Sequence, residues 1–242
     1  MAATHRIVEL SKLIAKETTV VNGFLMNNEL PTPSLDESAY LSVPIPDADG
    51  IFDHYPWEQK ASMVDIGGSP GSHGSVAIGI AERFPHIHCF VQDLAETVAE
   101  GAARLSNELK DRVTFMVVSS DFFTSQSVTA DVYFFRSIFH NWADKYCVKI
   151  LQNLIPMLRP GARIIIHERI LPDFESLETA EARRFINNDI GMLQLLNAQQ
   201  RECYEWPKLF HKADARFKYI GARKPDGAIR WIIEAEWQEL FS

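Results

Sequence analysis

The stretch Met63-Val64-Asp65-Ile66-Gly67-Gly68-Ser69-Pro70-Gly71-Ser72-His73-Gly74 constrains this chain most. An apolar run meets an acid, then a cluster of glycines, then a helical segment, Ser75 to Arg83. That order describes a buried strand, a tight turn and a helix whose first N–H groups face whatever lies above the turn. Glycines there let the backbone approach a ligand closely and adopt positive φ without steric cost. The acid at the strand end would repel a phosphate, so a neutral or cationic nucleoside ligand suits the turn better. The next expected strand, His88 to Gln92, ends on Asp93. An acid at the end of the second strand is where α/β nucleotide folds hold ribose hydroxyls.

From Met63 onward, strand and helix patterns alternate. The strands are expected at 62–66, 87–92, 113–118, 130–135 and 162–168, and the helices at 73–83, 95–109, 143–157 and 178–196. This order implies an α/β, doubly wound, mostly parallel sheet. The tail changes character: 215–222 and 229–237 read as two strands around the turn Lys224-Pro225-Asp226-Gly227, an antiparallel pair closing the sheet. Upstream, residues 5–29 carry Ile7, Leu10, Leu13, Ile14, Val20, Val21, Phe24 and Leu25 near helical spacing. Leu30-Pro31-Thr32-Pro33-Ser34 stops that helix, and an extended arm follows, with Phe52, Tyr55 and Trp57 as anchors. The expected division is therefore a helix and arm over 1–56 and a Rossmann-like domain over 57–242.

Net charge is −8 and the basic residues are scattered, which argues against a nucleic-acid surface. No apolar run reaches membrane-span length, and Met1 to Arg6 lead into a charged segment rather than a secretory signal. A cytoplasmic protein is expected. Cys89, Cys147 and Cys203 are far apart with no CxxC spacing, which reads as reduced thiols and no metal site.

Open α/β sheets bind ligands at the strand carboxyl ends. That rule selects Gly67 to Gly74, Asp93, Asp121 with Phe122, Arg136 with His140, and Glu168. Asp121 and Phe122 could flank an adenine or simply start a helix. His140, just beyond a strand end, suits proton abstraction from a phenol or alcohol near neutral pH. Glu168 could orient that imidazole, or pair with Arg169. For an acceptor pocket, residues 178–197 and the arm at 39–60 supply Trp57, Trp142, Phe185 and Met192, although aromatics at such spacing also build cores.

Taken jointly, the motifs resemble a known family. They are Asp65-x-Gly67-Gly68-x-x-Gly71, Gln92-Asp93-Leu94, Asp121-Phe122, Arg136-x-x-x-His140-Asn141-Trp142-x-Asp144, Leu158-x-Pro160-Gly161, Glu168-x-x-Leu171-Pro172, Asp189-x-x-Met192 and Glu205-Trp206. In this order they resemble the S-adenosylmethionine-dependent O-methyltransferases of the caffeate-methylating plant and fungal type, above all fungal secondary-metabolite members. The resemblance implies a class I methyltransferase fold acting on an aromatic or polyketide-type hydroxyl. It implies that Gly67, Gly68 and Gly71 lie under the methionine part of S-adenosylmethionine, that Asp93 holds the ribose, and that Asp65 and Leu94 also belong to the cofactor site. Asp121 and Phe122 would hold the adenine, and Arg136 would sit near the methionine end. His140 would be the general base with Glu168 its supporting acid, and Trp142, Phe185, Met192 and Asn197 would border the substrate.

Three departures from the family pattern stand out. Only Ala39 to Lys60 separate the N-terminal helix from the glycine motif, too short for the family's winged-helix dimerisation module. Part of the usual pocket and dimer interface would then be missing, leaving the N-terminal helix to pair two copies. The family's Asn-Gly-Lys-Glu-Arg stretch appears as Asn197-Ala198-Gln199-Gln200-Arg201, so the second acid beside the base is Gln200. An amide can hydrogen-bond an imidazole but cannot balance its positive charge. The glycine turn is also three residues longer than the family's, with Gly74 an alternative last member, and Asn141 stands where many relatives have Asp. Three readings follow: an O-methyltransferase with a more open acceptor site, a related fold turned to cyclisation, pericyclic or isomerisation chemistry without methyl transfer, or a non-catalytic partner subunit.

Overall fold

A computed structural model describes residues 50–68, 76–118, 123–172 and 179–239. The N-terminal helix expected at 5–29, its pairing role, Gly71, Asp121 and Phe122 lie outside the described residues. The elements run β1 (Ser62–Ile66), α1 (Val76–Arg83), β2 (His88–Asp93), α2 (Ala95–Arg104), β3 (Val113–Val117), β4 (Val132–Arg136), α3 (Asp144–Leu154), β5 (Arg163–Glu168), β6 (Ile170–Leu171), α4 (Thr179–Leu196), β7 (Arg201–Glu202), α5 (Glu205–Ala213), β8 (Phe217–Arg223) and β9 (Trp231–Trp237). Seven strands form one sheet in the order β3-β2-β1-β4-β5-β9-β8. β1 to β5 pair in parallel, and β9 and β8 close the sheet antiparallel, as the tail pattern predicts.

The central strands are near-continuous apolar runs because both sheet faces are covered. Alternation along each strand divides the core. Val64, Tyr133, Phe135, Ile164 and Ile166 face α3 and α5, while Met63, Val132, Phe134, Ile165 and Ile232 face α1. Ile51, Tyr55 and Trp57 are buried in this second layer. The Tyr55 hydroxyl donates to Glu234 at 3.3 Å, and the Trp57 indole N–H to the Ile51 carbonyl at 2.9 Å. Residues Ile51, Tyr55 and Trp57 of the arm are thus built into the core of the domain. Phe52 lies against Gly79, where a Cβ would strike its ring.

Two helices end earlier than the periodicity predicts. The helix expected over 95–109 stops at Arg104, because Leu105 and Ser106 become extended before a separate 3-10 turn, Asn107–Leu109, that buries Leu109. Leu105 and Leu109 share a helical spacing, so the pattern alone does not reveal the break. The helix expected over 143–157 stops at Leu154 and tightens into a 3-10 turn containing Pro156, which cannot donate in an α-helix interior. One further helix, α5, lies outside the expected set, although Trp206, Leu209, Phe210 and Ala213 follow the i, i+3, i+4, i+7 pattern and are all buried. Phe210 packs its ring 6.1 Å from Phe217 and 6.2 Å from Tyr219, tying α5 to β8. Phe210→Ala should lower unfolding free energy by about 3–5 kcal/mol in urea titrations. A loss below about 1 kcal/mol would show that α5 is not integral to the core.

Candidate active site

The parallel strands end together along one edge, and Gly67, Asp93, Arg136 and Glu168 among the expected site residues lie there. Ile66 on β1 pairs with Gln92 on β2 and with Phe135 on β4, so the residues that follow, Gly67, Asp93 and Arg136, leave the sheet side by side. The Gly67 N–H donates to the Gln92 carbonyl at 2.8 Å, and Gly67 takes φ of 73°, a left-handed turn that favours glycine. Gly68 has no room for a side chain: an added Cβ would lie 2.5–2.9 Å from the Asp65 carboxylate atoms. That carboxylate is buried, and the Ala77 N–H in the first turn of α1 donates to it at 3.3 Å. The positive end of a helix stabilises such an acid. Asp65 thus fastens helix to turn.

Asp93 is half-buried at the end of β2, and the Leu94 N–H donates to its Oδ1 at 2.7 Å, with Leu94 itself exposed. Beside it, Gln92 and Gln126 exchange paired amide hydrogen bonds of 2.8 and 2.9 Å. This buried pair ties the end of β2 to the chain leading into β4.

The segment after β4 is shaped by Ser137, whose φ is 54°, an uncommon value for a residue with a side chain. The Asn141 amide donates to the Ser137 carbonyl at 3.1 Å, and Arg230 Nε donates to the Ser137 hydroxyl at 3.2 Å. This sharp bend leads into a 3-10 turn, Phe139–Asn141, with half-buried His140 at its centre. Glu168, the last residue of β5 and only 1% exposed, accepts the Phe139 N–H at 2.6 Å and the His140 N–H at 3.1 Å. Among the described residues its carboxylate meets the backbone of the turn, not the His140 ring. The first N–H groups of a 3-10 turn have no partner within it, and the acid supplies one. Glu168 therefore fixes where His140 stands without touching the imidazole.

The remaining residues divide. Trp142 lies inside the core, ring to ring with Phe123 and Tyr146 at 5.0 and 5.7 Å. Phe185 and Met192 are half-buried on α4. Asn197, with φ of 52°, ends that helix: its N–H donates to the Leu193 carbonyl at 3.1 Å in the left-handed position that glycine or asparagine commonly fills. Gln200 is 2% exposed, and among the described residues neither atom of its side-chain amide has a hydrogen-bond partner. Its backbone N–H donates to Asp189 at 2.7 Å, holding the segment against α4. Arg201, which sequence reasoning passed over, is a buried cation directly behind the His140 turn. At the opposite, amino-terminal edge of the sheet lies a polar cavity of about 280 Å³ between Lys60, Asp131 and Arg159, remote from these residues.

Among the described residues no helix is long and apolar enough to cross a membrane, and no cluster of side chains suits a metal ion. Cys89 and Cys147 are buried and Cys203 is exposed. Burial pushes the Cys89 and Cys147 thiols up to about 12, well above their ordinary value near 9. Their neutral form is favoured in the fold, so their contribution to stability is full below the unfolded thiol pKa and is lost as pH rises toward 12. Unfolding free energy should fall as pH rises above about 9. A disulfide reagent at pH 8 should label Cys203 alone in the native protein and all three thiols after denaturation. Rapid native labelling of Cys147 would contradict its burial.

The chain is similar to proteins of one family. The family model for the O-methyltransferase domain matches residues 46–216. A grayanic acid biosynthesis cluster O-methyltransferase from Cladonia grayi is 45% identical over 188 residues, covering 76% of this chain and 41% of that protein. A chlorophenol O-methyltransferase from Trichoderma longibrachiatum is 40% identical over 185 residues, covering 75% of this chain and 38% of the relative. The chain thus spans less than half the length of these relatives. In fold it superposes on human N-acetylserotonin methyltransferase in complex with SAM with a TM-score of 0.70 at 19% identity, covering 98% of this chain and 68% of the other. With a doubly wound sheet, a glycine turn at its first strand and a histidine turn at its fourth, the chain belongs to the O-methyltransferase domain family.

Proposed function

We propose that this chain catalyses S-adenosylmethionine-dependent methylation of a phenolic hydroxyl on an aromatic or polyketide-type secondary metabolite, with His140 as general base. The observation that carries the reading is the position of His140: on a rigid turn at the ligand edge of the sheet, beside Arg136 and one strand from the glycine turn. Relatives named for phenol and fungal-product methylation support the substrate class.

The donor set at the edge fits this cofactor. A half-buried carboxylate on β2, bare glycine backbone on β1 and a guanidinium on β4 follow one another across two strand spacings, about 10 Å. A ribose diol suits Asp93, a close-lying uncharged chain suits Gly67 and Gly68, and an amino-acid carboxylate suits Arg136. When bound, S-adenosylmethionine supplies a methyl group activated by a positively charged sulfur. The remaining work falls to the protein. His140 accepts the phenol proton as the oxygen becomes nucleophilic, and its fixed backbone keeps that oxygen in line. Gln200 offers the site a neutral donor and acceptor where an acid would offer charge, so the imidazolium is balanced less strongly than in a carboxylate-flanked site.

Gln200 also favours a second reading, ring-forming or isomerising chemistry at His140 without methyl transfer, for which a neutral amide suffices. Calorimetry with S-adenosylmethionine should show binding that Asp93→Ala weakens at least about tenfold. Methyl transfer to a panel of phenols should fall by about 100-fold or more in His140→Ala with cofactor affinity unchanged. Turnover of a substrate without added cofactor, insensitive to Asp93→Ala, would overturn methyl transfer in favour of the second reading.

A further inference from the structure

We propose that Arg201 is the positioning residue for the base, completing a two-sided clamp on the turn that carries His140. The side chain is 1% exposed and sits on β7, whose Arg201 pairs with Ile170, two residues beyond Glu168. Its Nη1 donates to the Phe139 carbonyl at 2.9 Å and its Nη2 to the Trp142 carbonyl at 2.9 Å. Glu168 accepts the N–H groups of Phe139 and His140 from the other side. A buried anion thus holds the donors of the turn and a buried cation its acceptors, with His140 between them.

The guanidinium is itself held. Its Nε and Nη2 donate to Asp144 Oδ1 at 3.0 and 2.8 Å, and Asp144 opens α3, two residues past Trp142. Nη2 also donates to the Cys147 sulfur at 3.2 Å, and the plane lies 5.6 Å from the Trp206 ring centre. Burial disfavours the charged form of Arg201, and the carboxylates of Asp144 and Glu168 favour it. Only a planar fork with donors on three nitrogens reaches two carbonyls and a carboxylate together; an ammonium at one point cannot. Such an arrangement exceeds what β7, a two-residue strand, needs for its own packing. It spends a buried charge on the backbone of a single turn, and that turn holds the base.

This inference rests on the reading of His140 as base, and two measurements keep it separate from that reading. Arg201→Lys retains the charge and loses the fork. Asp144→Ala, at a half-exposed site, removes the guanidinium's anchor without opening the core. Both variants should bind S-adenosylmethionine as the wild type does. Their kcat for methyl transfer should fall by about 10- to 100-fold for Arg201→Lys and by less for Asp144→Ala, with KM for the cofactor held. In parallel, the His140 ring signal in proton–carbon NMR spectra, assigned with His140→Gln, should be single and sharp in the wild type. It should split or broaden in both variants while core methyl signals stay put. Wild-type kcat together with an unchanged His140 signal in Arg201→Lys would overturn the clamp. Should the wild type methylate no phenol, the functional reading fails, and the NMR comparison alone decides the clamp.

Discussion

The buried carboxylate of Glu168 is the contact on which the rest of the site depends. Removing an ionised acid from water costs several kcal/mol unless charge-assisted hydrogen bonds replace the lost hydration. Here the replacements are the N–H groups of Phe139 and His140, each such bond contributing about 1.5–3 kcal/mol. The acid therefore selects one backbone path after β4, a bend at Ser137 and then a 3-10 turn. Because β5 lies directly beside β4, the same register that builds the sheet also delivers the acid to the turn.

The same economy recurs along the edge. Asp65 at the end of β1 is satisfied by the start of α1 and fills the space over Gly68. Gln92 and Gln126 satisfy one another at the end of β2. In each case a polar side chain at a strand end takes up backbone or amide groups that the turn leaves unpaired. Rigid turns result, and they leave Asp93, Arg136 and His140 at fixed spacing along the sheet. Gln200 breaks the pattern, being buried with a side-chain amide that is unpaired among the described residues. A group left so is costly in the folded chain.

The sheet was legible because its signal is local. Runs such as Tyr133-Phe134-Phe135 and Ile164-Ile165-Ile166, short and rich in aromatic and β-branched residues, read as strands buried on both faces. Helix ends were less legible, since Leu105 and Leu109 keep helical spacing across a break that tertiary packing imposes. The helix at 205–213 carried an open periodic signal, hidden only by its position between a motif and a strand pair. Within the candidate site, the places of His140 and Glu168 after their strands were readable. Their relation was not: the acid meets the backbone of the turn, and nothing in the spacing of residues 140 and 168 distinguishes ring from backbone. Arg201 was invisible for the same reason, as its carbonyl partners lie 62 and 59 residues away.

The central claim is that the strand-end edge holds a methyl donor against a fixed base. A crystal structure with S-adenosylhomocysteine and a phenol tests it most directly. The account requires the ribose hydroxyls at Asp93 and the amino-acid carboxylate at Arg136. The sulfur should lie so that a phenol oxygen fits between it and the His140 imidazole. A nucleoside bound elsewhere, or a His140 ring turned away from the sulfur with its turn unchanged, would contradict it.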